Sequence, residues 1–133
     1  MKGRMFLTGL ALTGAVFALS SAVASGGGRA NTEVIFDGIA FNEPTGRTEF
    51  NGRVESSRKD CANKRKIIVY RAVNGEPDEK IGSKKTEKDG GTYRWFLTTG
   101  GVAHSGDYYA QAEAGDTCKG DKSAKVSWGT GRR

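Results

Sequence analysis

Between residues 31 and 129 no stretch of 11 residues repeats apolar side chains with a 3.6-residue period. Short β-branched and aromatic runs recur there instead, alternating with polar residues and separated by Gly, Asn and Asp. Such a chain has no amphipathic helix with which to build a core, so its apolar side chains must be buried by strands. The pattern predicts strands at 33–41 (interrupted at Gly38), 48–56, 65–73, 79–86, 92–98, 106–113 and 123–128. Seven short strands in about 100 residues predict an all-β, two-sheet sandwich in which each strand buries one face.

The alternation also names a core. Phe50, Gly52 and Val54 share one face, and Asn51, Arg53 and Glu55 the other, so a one-residue slip would bury charge. The same reasoning turns inward Ile67 and Val69, Tyr93, Trp95 and Leu97, Tyr108, Ala110 and Ala112, and Ala124, Val126 and Trp128. Ile68, Tyr70, Phe96 and Tyr109 then fall on outer faces, as ordinary cross-strand packing or as a sparse apolar surface.

Ahead of this domain, residues 1–24 have the layout of a signal peptide. Lys2 and Arg4 form a positive start, residues 6–19 an apolar run, and Ala22-Val23-Ala24 a small-x-small cleavage site. The signal segment is expected to be helical, and after its removal no membrane span is expected. Residues 25–30, with three consecutive glycines, read as a flexible leader, and 130–133 as a short tail. The full chain carries 21 basic and 15 acidic residues, and losing Lys2 and Arg4 lowers the net charge from +6 to +4. Export to a periplasmic or extracellular compartment makes a disulfide the expected state of the two cysteines, Cys61 and Cys118. Closing so long a loop is worth about 4 kcal/mol in the chain-entropy account.

A resemblance appears at this point. The chain contains Phe50-x-Gly52-x-Val54-x-Ser56, Cys61, Arg65-x-Ile67-x-Val69-Tyr70-Arg71, Gly82, Thr86, Asp89-Gly90-x-Thr92-Tyr93, Gly106-x-Tyr108-Tyr109-Ala110 and Cys118. Over residues 48–128 this series resembles secreted bacterial proteins of the transthyretin-like (prealbumin-like) and carboxypeptidase-regulatory-like sandwich group. The resemblance implies an immunoglobulin-like or prealbumin-like architecture, with Asp89-Gly90 at a hairpin turn and Tyr108 as a corner tyrosine. It implies no activity, because fold alone does not assign one. The hydroxyisourate hydrolases of that fold use several His and Arg residues and a Tyr-Arg-Gly-Ser tail. This chain has one His and ends Ser127-Trp128-Gly129-Thr130-Gly131-Arg132-Arg133, leaving those roles no positions.

Motifs for chemistry are sparse. His104 stands in a glycine-rich loop, and its neighbours Ser105 and Asp107 do not make a relay, which needs groups converging from separate elements. One His and two Cys do not supply the roughly four ligands of a structural zinc site. Asp78, Glu79, Glu87 and Asp89 lack the spacing of a calcium loop. No motif requires a cofactor or metal, and the expected function is not enzymatic. Basic residues carry the remaining signal. Arg58, Lys59, Lys64, Arg65 and Lys66 surround Cys61, while Lys80, Lys84, Lys85 and Lys88 occupy the next hairpin. They are either one polyanion-binding surface or lysines that keep sheet edges soluble. Export points to an anionic cell-wall or envelope polymer, phospholipid headgroups, host glycosaminoglycans or another exported protein, rather than nucleic acid. The alternative is a protein-interaction module using a sheet edge or Tyr70, Phe96 and Tyr109. A small hydrolase is the third reading and needs His104 beside a second titratable group.

Overall fold

The computed structural model describes residues 28–129. The expected signal peptide, the first half of the leader and the tail lie outside these residues.

Two antiparallel sheets face each other. The strands are β1 (Thr32–Asn42), β2 (Arg47–Ser56), β3 (Lys66–Arg71), β4 (Glu79–Lys85), β5 (Glu87–Asp89), β6 (Thr92–Gly100), β7 (Gly106–Ala112), β8 (Asp121–Lys122) and β9 (Val126–Trp128). A four-residue helix, α1 (Lys59–Ala62), joins β2 to β3. One sheet runs β1-β2-β6-β5; the other runs β9-β7-β3-β4, with β8 also paired to β7. No helix of the described residues is long and apolar enough to cross a membrane.

The core follows the alternation. Thr48, Phe50, Gly52 and Val54 are buried while Glu55 is exposed. Phe36 packs edge-on against Trp95 at 5.3 Å and Phe50 at 6.3 Å, and Phe50 meets Tyr108 of the opposite sheet at 5.3 Å. Aromatic pairs at such distances prefer tilted or T-shaped geometry and add to area burial. Gly52 is required: a Cβ there would stand 2.0 Å from the Ile35 carbonyl oxygen and 2.6 Å from the Trp95 ring.

The expected interruption at Gly38 is a register shift between Phe36 and Gly38, which restores Ile39 to the inner side opposite Phe50. The Asp89-Gly90 signal closes the β5–β6 hairpin, with Asp89 opposite Thr92 and Gly90 at φ 64°. Tyr108 fills the corner role, its hydroxyl donating to the His104 carbonyl.

Two expected strands are shortened. The 79–86 segment ends at Lys85, and the chain crosses at Thr86 to join the other sheet as β5. The 123–128 segment is strand only over β9, and β8 precedes it along the same edge of β7. Lys122 lies opposite Gln111 and Val126 opposite Tyr108, so three residues on one strand span two on the other. That extra residue moves Ser123 inward, where its hydroxyl accepts from the Ala110 N–H, and leaves Ala124 exposed. The inward place expected for Ala124 is therefore corrected.

The cysteines are joined, with Cα atoms 5.5 Å apart across 57 residues. The bridge ties α1 to the 113–120 loop, and that loop holds the start of the domain: the Ala30 N–H donates to the Thr117 carbonyl, and the Lys119 N–H donates to the Ala30 carbonyl. Pairing thus begins at Ala30, one residue before the expected domain start.

Candidate functional site: a lysine-lined sheet edge

The crossing at Thr86 positions the basic residues. Its fully buried hydroxyl donates to the Ala62 carbonyl and accepts from the Arg65 N–H at 2.9 Å, while its own N–H donates to the Arg65 carbonyl at 2.9 Å. These bonds clamp the 62–65 turn against the end of β4. Lys64, in the left-handed region at φ 56°, and Lys66 are thereby set beside Lys84 and Lys85. Lys66 and Lys85 are directly opposed across the β3–β4 ladder. Like charges in that relation repel.

Two adjoining grooves run along this edge and share Lys84, Lys85 and Glu87. The first, about 560 Å³, is completed by Lys64, Lys66, Ser83 and Thr86. The second, about 690 Å³, extends over the four-stranded sheet to Lys88, Asp89, Arg94, Asn51 and Phe96. Among the described residues Lys64, Lys66, Lys84, Lys85 and Lys88 form no ion pair. Arg94 is partly engaged, 3.4 Å from Asp37, which pairs more closely with Arg53 at 2.8 Å.

Other expected members stand apart. Arg65 is withdrawn from the basic surface. Its guanidinium donates to Thr32 Oγ1 at 3.0 Å and to the carbonyls of Cys61 (2.9 Å), Glu113 (2.8 Å) and Lys119 (2.9 Å), and burial pushes its pKa below the usual value. Four of its five N–H donors are thus spent within the protein, and the side chain fastens the disulfide region. Arg58 is held by Asp60 in a two-toothed contact of 2.8 and 3.2 Å. Lys59 is exposed on α1, and Lys80 is exposed opposite Tyr70.

The three aromatics do not share a face. Phe96 lies on the outer side of the four-stranded sheet, across from Asn51, and is 49% exposed. Tyr70 and Tyr109 lie on the five-stranded sheet, stacked with centroids 5.4 Å apart. Tyr109 is only 4% exposed, which corrects its place on an accessible aromatic surface. Its hydroxyl donates to Asp78 Oδ2, and Lys122 Nζ sits 4.8 Å from its ring centroid. Burial foremost, then the bond to Asp78, pushes its pKa up to about 12. Asp78 is lowered chiefly by the Tyr109 hydroxyl, then by the Val73 N–H, with Lys122 and Lys125 assisting. Ile68, also expected outside, is buried on the central strand between Ser83 and Gln111.

His104 is exposed in the loop before β7. Nearby groups are engaged elsewhere: the Ser105 carbonyl accepts from Arg71, and Asp107 accepts from the Ser127 hydroxyl at 2.7 Å. Among the described residues no three His, Cys, Asp or Glu side chains are placed to hold a metal ion. Glu87 and Asp89 already lie among the lysines in the sequence, whereas sequence reasoning missed Asn51 and Arg94 as their neighbours. The β5–β6 pairing sets Arg94 opposite Glu87, and the β2–β6 pairing sets Asn51 opposite Phe96.

Comparison of the chain with protein-family models and with curated proteins gives no match.

Proposed function

We propose that this chain is an exported, non-catalytic β-sandwich module that binds an anionic envelope polymer through Lys64, Lys66, Lys84, Lys85 and Lys88. The signal-like residues 1–24 and the Cys61–Cys118 disulfide support export to an oxidising compartment. The resemblance to the secreted transthyretin-like and carboxypeptidase-regulatory-like sandwiches supports an accessory role without catalysis. A single observation carries the reading: five lysines that form no ion pair among the described residues line two adjoining grooves, and two of them oppose each other in register. A polyanion laid along the groove relieves their mutual repulsion and releases its own counterions, the usual source of affinity in such contacts.

The test is retention of the mature chain, residues 25–133, on envelope fractions from its own source. Binding is expected at low salt and lost at high salt. Replacing Lys64, Lys66, Lys84 and Lys85 with Gln is expected to weaken it about tenfold or more. Arg58→Gln with Lys59→Gln, on the other side of the turn, leaves it nearly unchanged. Equal retention of both variants would refute the assignment.

A further inference from the structure

Of the large apolar side chains exposed among the described residues, Phe41, Phe96 and Val102, Phe96 is the one that borders the larger groove. This residue is 49% exposed and is set beside lysines that form no ion pair among the described residues. We infer that this groove takes an acidic polysaccharide: a sugar ring rests on Phe96, hydroxyl groups meet Asn51, Glu87 and Asp89, and anionic groups meet Lys84, Lys85 and Lys88. The inference rests on the polyanion reading and names the chemical class of the polymer.

Three features of the groove select that class. First, an exposed aromatic face carries partial negative charge and attracts the weakly positive C–H face of a flat ring. Polyphosphate and glycerol-phosphate chains have no such ring. Second, Glu87 and Asp89 form no ion pair among the described residues, so two free carboxylates line the same groove as the lysines. A polyphosphate chain brings like charge against them and no hydroxyl donor. A hydroxyl-rich polymer brings donors, which ionised carboxylates accept strongly. Third, a sequence-tolerant nucleic-acid groove stacks successive bases on several aromatics. Here one exposed ring is available, because Trp95, which also lines the groove, is buried, and Tyr70 and Tyr109 occupy the other sheet. Asn51, directly across the strand pair from Phe96, adds a side-chain amide whose donor is only weakly engaged, 3.4 Å from the Gly38 carbonyl. The groove volume of about 690 Å³ lies in the range of small-ligand sites, enough for a short oligosaccharide.

The test is titration of the mature chain with five probes: oligogalacturonate, a sulfated dextran oligosaccharide, neutral malto-oligosaccharide, polyphosphate and single-stranded oligothymidylate. The wild type is expected to bind one or both acidic sugars and to bind the neutral sugar at least tenfold more weakly. Preference between carboxylated and sulfated sugars identifies the anionic group. Phe96→Ala is expected to weaken acidic-sugar binding about tenfold, Phe96→Tyr to restore it, and neither to alter polyphosphate binding. Because Phe96 is exposed, an unchanged melting temperature will show that the variants are folded. If polyphosphate binds at least as well as the sugars and Phe96→Ala alters no binding, the sugar assignment is overturned while the polyanion reading stands. Phe96-dependent binding of oligothymidylate in preference to the sugars replaces the sugar with nucleic acid. Absence of binding to all four anionic probes overturns both readings.

Discussion

Lys64, Arg65 and Lys66 are consecutive cations with opposite employment. Arg65 turns inward and gives hydrogen bonds to Thr32, Cys61, Glu113 and Lys119, stitching the disulfide loop to the first strand. Lys64 and Lys66 turn outward to the groove, without an ion-pair partner among the described residues. The disulfide end of the sandwich is thus satisfied from within, whereas the lysines of the β4 edge form no ion pair among the described residues. A run of positive charge is therefore not a surface in itself. Neighbouring cations divide between fastening and display according to which way each side chain leaves the backbone, and a planar guanidinium suits the fastening role because its donors fan out in fixed directions.

That contrast predicts a graded set of effects. The largest belongs to the bridge itself. Reducing Cys61–Cys118, or replacing both with Ser, is expected to lower unfolding free energy by about 4 kcal/mol, read from urea midpoints with and without reductant. A midpoint that does not move would remove the distinction between the two ends. Next, Arg65→Lys keeps the charge but loses the fan of donors. With several carbonyls left short of a partner, about 2–3 kcal/mol of stability is expected to disappear. Lys66→Gln beside it is expected to shift stability by no more than about 0.5 kcal/mol, the usual range for an exposed site. If the two substitutions cost the same, the fastening role of Arg65 is wrong.

Lys84→Gln with Lys85→Gln sharpens the other side of the comparison. Stability is expected to be unchanged or slightly raised, since opposed like charges are relieved, while the salt dependence of envelope retention flattens. The smallest effect comes from the Asp78–Tyr109 contact, a third arrangement in which a carboxylate is satisfied by a buried hydroxyl with Lys122 close by. Tyr109 holds its proton more tightly in the folded state, with its pKa at about 12, than in the unfolded chain. Its contribution is complete below about pH 10, the unfolded value, and is lost as pH rises through the folded one. Asp78 has the opposite sign: its folded pKa is lowered, so its contribution is present above about pH 4 and lost as pH falls through the folded value. Thermal midpoints of wild type and Tyr109→Phe are expected to differ at neutral pH and to converge at both extremes. A constant difference across pH would assign the tyrosine to packing alone.

The inner faces were legible because period-2 alternation is local. Phe50, Gly52 and Val54 read inward from their own spacing, and the interruption at Gly38 and the turn at Gly90 followed from backbone freedom. The misreadings arose where a long-range contact reset the phase. Thr86 reads as one more strand residue until its hydroxyl is seen gripping the Ala62 and Arg65 backbone. Ser123 and Ala124 exchange roles because of one extra residue against β7. Tyr109 has an outward parity, yet Tyr70, Asp78 and Lys122 pack about it. In the candidate site the lysines of the β4 edge were visible as a charge cluster. Asn51 and Arg94 beside them were not, since strand pairing brings them to the same groove from elsewhere in the sequence.

By itself the sequence determined that this chain is an all-β sandwich, that Phe50, Trp95 and Tyr108 face its core, and that Cys61 and Cys118 are suited to pair in an oxidising compartment. Composition and short-period alternation carry that information, because each strand must hide one face whatever its neighbours are. The tertiary structure decided which cations fasten and which are displayed, which aromatics remain accessible, and where the groove lies. Those properties depend on the strand order and on the crossing at Thr86, which bring together side chains that no local pattern relates.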